Sequence, residues 1–304
     1  MIRLLTSTPA VIAGLWTIWG SAFLAIKAGL SQSSPEAFAL LRVLSAIAVL
    51  LVIVIWRRDS HSGFLGGRGI HRYCIALGAT NVAGFLVFQN AGLVEAQVGI
   101  ASVLVYTQPL LVAIGAVVLL HERLSSRQVL GLMTGWLGVA LVVAGELSAD
   151  LTPAGSALLL LGAAVAWAAG TLVFKSLPSD VSVWSVLLWQ NIYGLLPVSL
   201  IALWGTSTVT WGVPLLVGVL GAGVGGSIGG FGLQFVLLRR GKASVVSSWI
   251  FAVPIIATTL GVLVLGETLH AGLLAGGAAV AVGIYLVNSQ GRRAAAGEAE
   301  AAAS

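Results

Sequence analysis

Two prolines have polar and aromatic residues close ahead of them. Tyr106, Thr107 and Gln108 stand directly before Pro109, and Trp249, Ile250 and Phe251 come shortly before Pro254. Aromatic faces with a few polar handles suit reversible binding of an amphiphilic organic molecule of modest size. The same residue types also serve as packing or interfacial anchors. Trp19 and Trp167 add two indoles that either line such a site or pack their own helices. Gln89 and Gln234, 145 positions apart, are amides in apolar surroundings and must find partners there, in a site or between helices.

Covalent chemistry is poorly provided for. Gly221-x-Gly223-x-x-Gly226 has the spacing of a dinucleotide fingerprint, and Gly225-Gly226-Ser227-Ile228-Gly229 that of a nucleophile elbow. Both motifs need a preceding strand, which this apolar stretch does not offer. Its small residues fall instead into rows (Gly221, Gly225, Gly229; Gly218, Ala222, Gly226, Gly230) that let helix backbones approach closely. All four histidines lie between apolar stretches or at their ends, so no base faces Ser227. A membrane-embedded hydrolase is therefore the remote alternative. Cys74 is single, and no Cys/His metal spacing exists, so no disulfide, metal or cofactor is expected.

The chain is 58% hydrophobic and 8% charged, against about 25% charged in a soluble domain. Runs of about 20 apolar residues, enough to cross a ~30 Å hydrocarbon core, recur along most of the length. Ten spans are expected, at 10–30, 36–56, 73–92, 100–120, 128–144, 154–177, 183–203, 214–238, 243–265 and 271–288, followed by a low-complexity tail over 289–304 that is expected to be disordered. The first run is too long for a signal-peptide core. An inside N-terminus places Arg3, Arg57, Arg58, Arg68, Arg72, Arg123, Arg127, Arg239, Arg240, Lys242, Arg292 and Arg293 in the cytoplasm and no basic residue in an outside loop. Both termini are then cytoplasmic. The net charge of +5 is a topology signal and does not point to nucleic acid.

Three cations remain within spans. Lys27 and Lys175 lie near span ends and can snorkel. Arg42, six residues past Glu36, sits about 9 Å into its helix at 1.5 Å per residue. It either snorkels or contacts a carboxylate from the outward side; Lys27 is a second possible charge contact. No carboxylate falls in the middle of a span, which points away from a buried proton relay and toward facilitated or exchange transport.

The second half repeats the first. Trp19 precedes Lys27 by eight residues, as Trp167 precedes Lys175. Ala101-Ser102-Val103 answers to Ala243-Ser244-Val245. Pro109 lies thirteen residues before Glu122, as Pro254 lies before Glu267, and Gly131 and Gly138 match Gly276 and Gly283. Five spans per copy is an odd number, so the second copy must enter the bilayer from the opposite side. The expected fold is therefore all-α and integral to the membrane, with ten transmembrane helices as two inverted five-helix repeats, 10–144 and 154–288.

Trp19-Gly20-Ser21, Tyr106-Thr107-Gln108-Pro109 and Glu122-Arg123-Leu124 resemble an EamA-type member of the drug/metabolite transporter superfamily, over roughly 10–288. That resemblance implies a carrier whose central cavity is lined chiefly by helices 1, 3, 4, 6, 8 and 9. It also implies export of amino acids and related metabolites across the inner membrane. The aromatic residues favour large neutral or aromatic amino acids, with sugars, nucleosides or drugs as the runner-up substrates. Trp19, Gln89, Tyr106, Gln108, Trp167, Gln234, Trp249 and Phe251 are the expected substrate-binding residues, and Pro109 and Pro254 the expected kinks or hinges. A small-molecule substrate and the bilayer are the expected partners. Oligomeric state stays open, a monomer being one option.

Overall fold

The computed structural model describes residues 8–57, 69–122, 124–148, 153–269, 271–283 and 285–286. The 289–304 tail, Arg3, Arg58, Arg68, Arg123, Arg292 and Arg293 lie outside the described residues. The first half holds α1 (Thr8–Leu30), α2 (Pro35–Arg57), α3 (His71–Leu93), α4 (Val98–Leu119) and α5 (Ser126–Ser148). The second holds α6 (Ala154–Lys175), α7 (Val183–Trp204), α8 (Val213–Arg240), α9 (Ala243–Ser248, Trp249–Phe251 and Ala252–Leu265) and α10 (Ala271–Gly283). Among the described residues, seven of these are long and apolar enough to cross a membrane: α1 to α4 and α6 to α8. Shorter apolar helices run over Val253–Leu265 and Ala271–Gly283. Among the described residues the regular structure is helical, apart from an isolated antiparallel bridge between Ser33 and Val209.

The two halves interlock. α1 packs against α8 and α9, and α6 against α3 and α4, so the first helix of each half is embedded in the other half. α2 lies along α7 and α8, and α7 along α3. Glycine makes the closest approaches possible. A Cβ on Gly138 of α5 would stand 2.6 Å from the Gly276 carbonyl of α10, and one on Gly283 would stand 2.5 Å from the Gly131 carbonyl. The four glycines matched in sequence thus meet as two crossed pairs.

Helix regularity fails at matched places. Pro109 has no N–H to offer the Val105 carbonyl, and α4 ends its first segment at Val105, turns at Tyr106–Thr107 and restarts at Gln108 with the proline in its first turn. In α9 a 3₁₀ turn over Trp249–Phe251 precedes the segment carrying Pro254. α3 widens to a π-helix over Gly78–Gly84 and α8 over Val219–Gly230; the first range shifted by 145 residues falls inside the second. Such widened turns frequently mark functional sites.

The helices before Glu122 and Glu267 end alike. His121 (φ 54°) and Gly266 (φ 69°) adopt left-handed backbone. The Glu122 amide then reaches back to the Ala116 carbonyl (3.0 Å) and the Glu267 amide to the Gly261 carbonyl (3.2 Å), so both helices close in the same way past a left-handed residue. An L-residue in this conformation costs about 1–2 kcal/mol that glycine does not. His121→Gly is expected to raise the apparent unfolding temperature of the detergent-solubilised protein. A fall would show that the imidazole contributes more than the strain removes.

Candidate functional site

Four aromatic side chains from both halves close on one another between the interlocked helices. Trp19 of α1 and its sequence match Trp167 of α6 meet edge-to-face at 4.9 Å between ring centroids. Tyr106, brought inward by the break in α4, lies 5.3 Å from Trp167 and 6.5 Å from Trp19. Phe231 of α8 closes the ring at 5.6 Å from Trp19. Phe23 and Phe85 extend this box through tilted contacts, while its four members meet in the edge-to-face arrangement aromatic quadrupoles favour. Within it is a cavity of ≈ 20 Å³, too small for an organic solute, whose lining also includes Ile26, Arg42, Gln89 and Gly226. A larger groove of ≈ 440 Å³ lies to the side between α9 and α10. Its walls are aliphatic apart from Thr258 and Thr259, so it lacks convergent polar groups.

Hydrogen bonds hold the box from behind. The Trp19 indole donates to the Gly226 carbonyl (3.2 Å), in the π segment of α8. The Trp167 indole donates to Gln234 Oε1 (3.2 Å), and Gln108 Nε2 donates to the Thr171 hydroxyl (2.9 Å) one turn along α6. Gln108 and Gln234 therefore stand behind the aromatic residues and do not line the cavity. Gln89 does line it, and there accepts a hydrogen bond from Arg42. Arg42 turns inward instead of reaching the interface; it is 3% exposed.

The two lysines do not snorkel either. Lys27 Nζ donates to the carbonyls of Leu93, Val94 and Ala96 (2.9–3.0 Å), at the C-terminal end of α3. Lys175 Nζ donates to those of Leu238 (2.8 Å) and Gly241 (2.7 Å), at the C-terminal end of α8. A cation there meets the negative end of the helix dipole and otherwise unsatisfied carbonyls. Lys27 is thus engaged away from the box. The carboxylates do the converse across the two halves. Glu267 accepts from the Val98 and Gly99 amides (2.6 and 3.0 Å) at the start of α4, and Glu122 accepts from the Ser244 hydroxyl (2.6 Å) at the start of α9.

The remaining expected site residues lie elsewhere. The Trp249 side chain is half-buried against the core and does not line the cavity; its carbonyl accepts from the Trp16 indole. The Phe251 side chain lies outside the described residues. Pro109 is buried behind Tyr106, and Pro254 lines the lateral groove.

The profile of the EamA-like transporter family matches the chain twice, over residues 8–144 and 155–289. The chain belongs to the EamA-like transporter family. This places it in the drug/metabolite transporter superfamily as a multi-pass membrane transporter and not an enzyme. In keeping with that, the Ser227 hydroxyl donates to the Ala222 carbonyl (3.2 Å). An uncharacterized transporter, YvbV, of Bacillus subtilis (strain 168) is 32% identical over 94% of this chain and 93% of its own. A Salmonella typhimurium protein called a "probable amino-acid metabolite efflux pump" is 27% identical over 88% of this chain and 90% of its own. A solved crystal structure shares the fold at a TM-score of 0.71 and 18% identity, over 93% of this chain and 96% of that one.

For an EamA-like chain the lining departs from expectation in two helices. α2 enters through Arg42, and α9 contributes no lining residue. Sequence reasoning also passed over Phe231, Phe85 and Phe23. They have no polar atom and no aromatic match at the repeat offset of their helices, 148 for Phe23 and 145 for Phe85 and Phe231, so nothing marked them among other apolar residues.

Proposed function

We propose that this EamA-like transporter is an alternating-access carrier exporting large neutral or aromatic amino acids across the inner membrane. Ten spans would form two inverted five-helix repeats, over 10–144 and 154–288, with both termini cytoplasmic. The carrying observation is the aromatic box of Trp19, Tyr106, Trp167 and Phe231, built from both halves and closed to ≈ 20 Å³. A carrier passes through such a closed form as one side shuts before the other opens, and a site between repeats is where substrate is expected. The apolar walls suit a large neutral side chain, and the efflux-pump name of the Salmonella relative favours amino acids among amphiphilic solutes.

In this reading Trp19, Tyr106 and Trp167 touch the substrate, while Gln108 and Gln234 hold α4, α6 and α8 in register behind them. The breaks before Pro109 and Pro254 serve as hinges. The Glu267 and Glu122 contacts fasten the halves at opposite ends of the molecule. Counterflow in proteoliposomes tests the substrate class. Vesicles preloaded with unlabelled phenylalanine, tryptophan or leucine are expected to take up the labelled amino acid saturably, with or without a proton gradient. Silence across all amino acids in folded protein would end this reading and bring sugars, nucleosides and drugs forward.

A further inference from the structure

Arg42 is a buried cation without a buried anion. Its Nη1 donates to Asn90 Oδ1 (2.8 Å) and Gln89 Oε1 (3.2 Å), both on α3. Asn90 is itself fixed, its Nδ2 donating to the Pro35 carbonyl (3.2 Å) at the start of α2. Arg42 Nε has no partner, and no Asp or Glu side chain among the described residues bonds to the guanidinium. The guanidinium carbon stands over the Phe38 ring, 5.9 Å from its centroid.

A charge away from water is costly unless it is paired and hydrogen-bonded. Amide oxygens satisfy N–H groups but leave the net charge uncompensated. A guanidinium has five N–H donors in a planar fork that matches a carboxylate with two parallel hydrogen bonds. The same side chain lines the central cavity beside Trp19, Tyr106, Trp167 and Phe231. Charge and apolar wall therefore face one enclosed space. No lining residue of that cavity is acidic, so nothing there demands a cationic group on the ligand.

We propose that Arg42, held by Gln89 and Asn90, is a carboxylate receptor, and that the site takes monocarboxylates with an apolar or aromatic body whether or not they carry an α-amino group. This rests on the reading of the box as the substrate site and sharpens its ligand class. Amino acids are one subset; the corresponding acids without nitrogen are another.

Quenching of tryptophan fluorescence in the purified full-length protein tests it, with four related probes: phenylalanine, 3-phenylpropionate, phenylalaninamide and phenethylamine. Phenylalanine and 3-phenylpropionate are expected to bind within about threefold of one another. The amide and the amine, which lack the carboxylate, should bind at least about tenfold more weakly, about 1.4 kcal/mol. Arg42→Gln should abolish that preference, and Arg42→Lys, a point charge without the fork, should retain part of it. The wild-type panel stands alone if Arg42→Gln fails to fold. Equal binding of phenylalanine and its amide would overturn the receptor and leave the amino-acid reading intact. Binding of 3-phenylpropionate without phenylalanine would do the reverse. Absence of binding by both carboxylates would overturn both.

Discussion

Glu267→Gln is expected to bias the carrier toward opening at the end bearing Lys27, and Glu122→Gln toward opening at the opposite end. The Glu267 carboxylate takes two amide protons at the start of α4, at 2.6 and 3.0 Å. Those N–H groups have no intrahelical partner, and the helix dipole adds to their attraction for a carboxylate. A hydrogen bond to a charged group contributes about 1.5–3 kcal/mol. Gln keeps one acceptor oxygen and loses the charge. The ratio of open to closed at that end should therefore rise about tenfold or more, at about 1.4 kcal/mol per decade. Glu122 holds Ser244 in the matched position, so its variant should act at the other end. A cysteine introduced at Ala22, a lining position, in a Cys74→Ala background reports accessibility to an impermeant maleimide. Labelling from opposite sides is the expected result. Both variants opening the same end, or neither changing access, would remove the carboxylates from the gating scheme.

Gly230→Val should abolish transport while the protein still reaches the membrane. A Cβ at Gly230 would fall on the Trp19 indole, 2.6 Å from Cε2 and 2.7 Å from Cδ1. That ring has nowhere to go: Trp167 and Phe231 meet it at 4.9 and 5.6 Å, and the Gly226 carbonyl holds its nitrogen. Overpacking a filled core costs about 1–3 kcal/mol, and here the strain is released by displacing the wall of the site. At least about a hundredfold loss of counterflow is expected, about 2.8 kcal/mol at 1.4 kcal/mol per decade, with changed tryptophan emission. Gly277→Ala is the control, because a Cβ there meets nothing within 4 Å. Wild-type counterflow in Gly230→Val would mean that Trp19 is not part of the substrate path.

Much of the frame was legible because the chain repeats its own landmarks. The glycines at 131, 138, 276 and 283 matched by offset and proved to be the residues that meet where α5 crosses α10. Trp19 and Trp167 matched likewise and are in contact. What spacing could not convey was which helix end or which amide lies beside a charge. Along their own helices Lys27, Lys175 and Arg42 each sit within reach of an interface, so the sequence left snorkelling open for all three, beside a carboxylate contact for Arg42 and Lys27. In the fold, Lys27 and Lys175 find the carbonyl ends of α3 and α8, and Arg42 finds two amides of α3. Gln234 was marked by its position, yet it serves the site through Trp167, a distinction that needs the third dimension. The π segments left little trace. A helix apolar all round has no stripe whose drift would reveal a wider turn, and the glycine density over 218–230 reads equally well as close packing.

Those two widened turns make the site depend on chain length as well as residue type. An α-helix has 3.6 residues per turn, so each residue rotates the chain by about 100°. Gln89, Asn90 and the carbonyls of Leu93, Val94 and Ala96 all follow the π segment of α3, while Phe231 and Gln234 follow that of α8. Removing one residue from 85–88, the regular α-helical turn after the π segment, would swing Gln89 and Asn90 about 100° around the helix, away from Arg42, with both side chains unchanged in identity. It would also turn the Lys27 anchor aside. The angular phase of α3 and α8 thus helps to build the aromatic box and the Arg42 anchor, and a single-residue deletion after either widened turn would undo contacts that no substitution at the same position reaches.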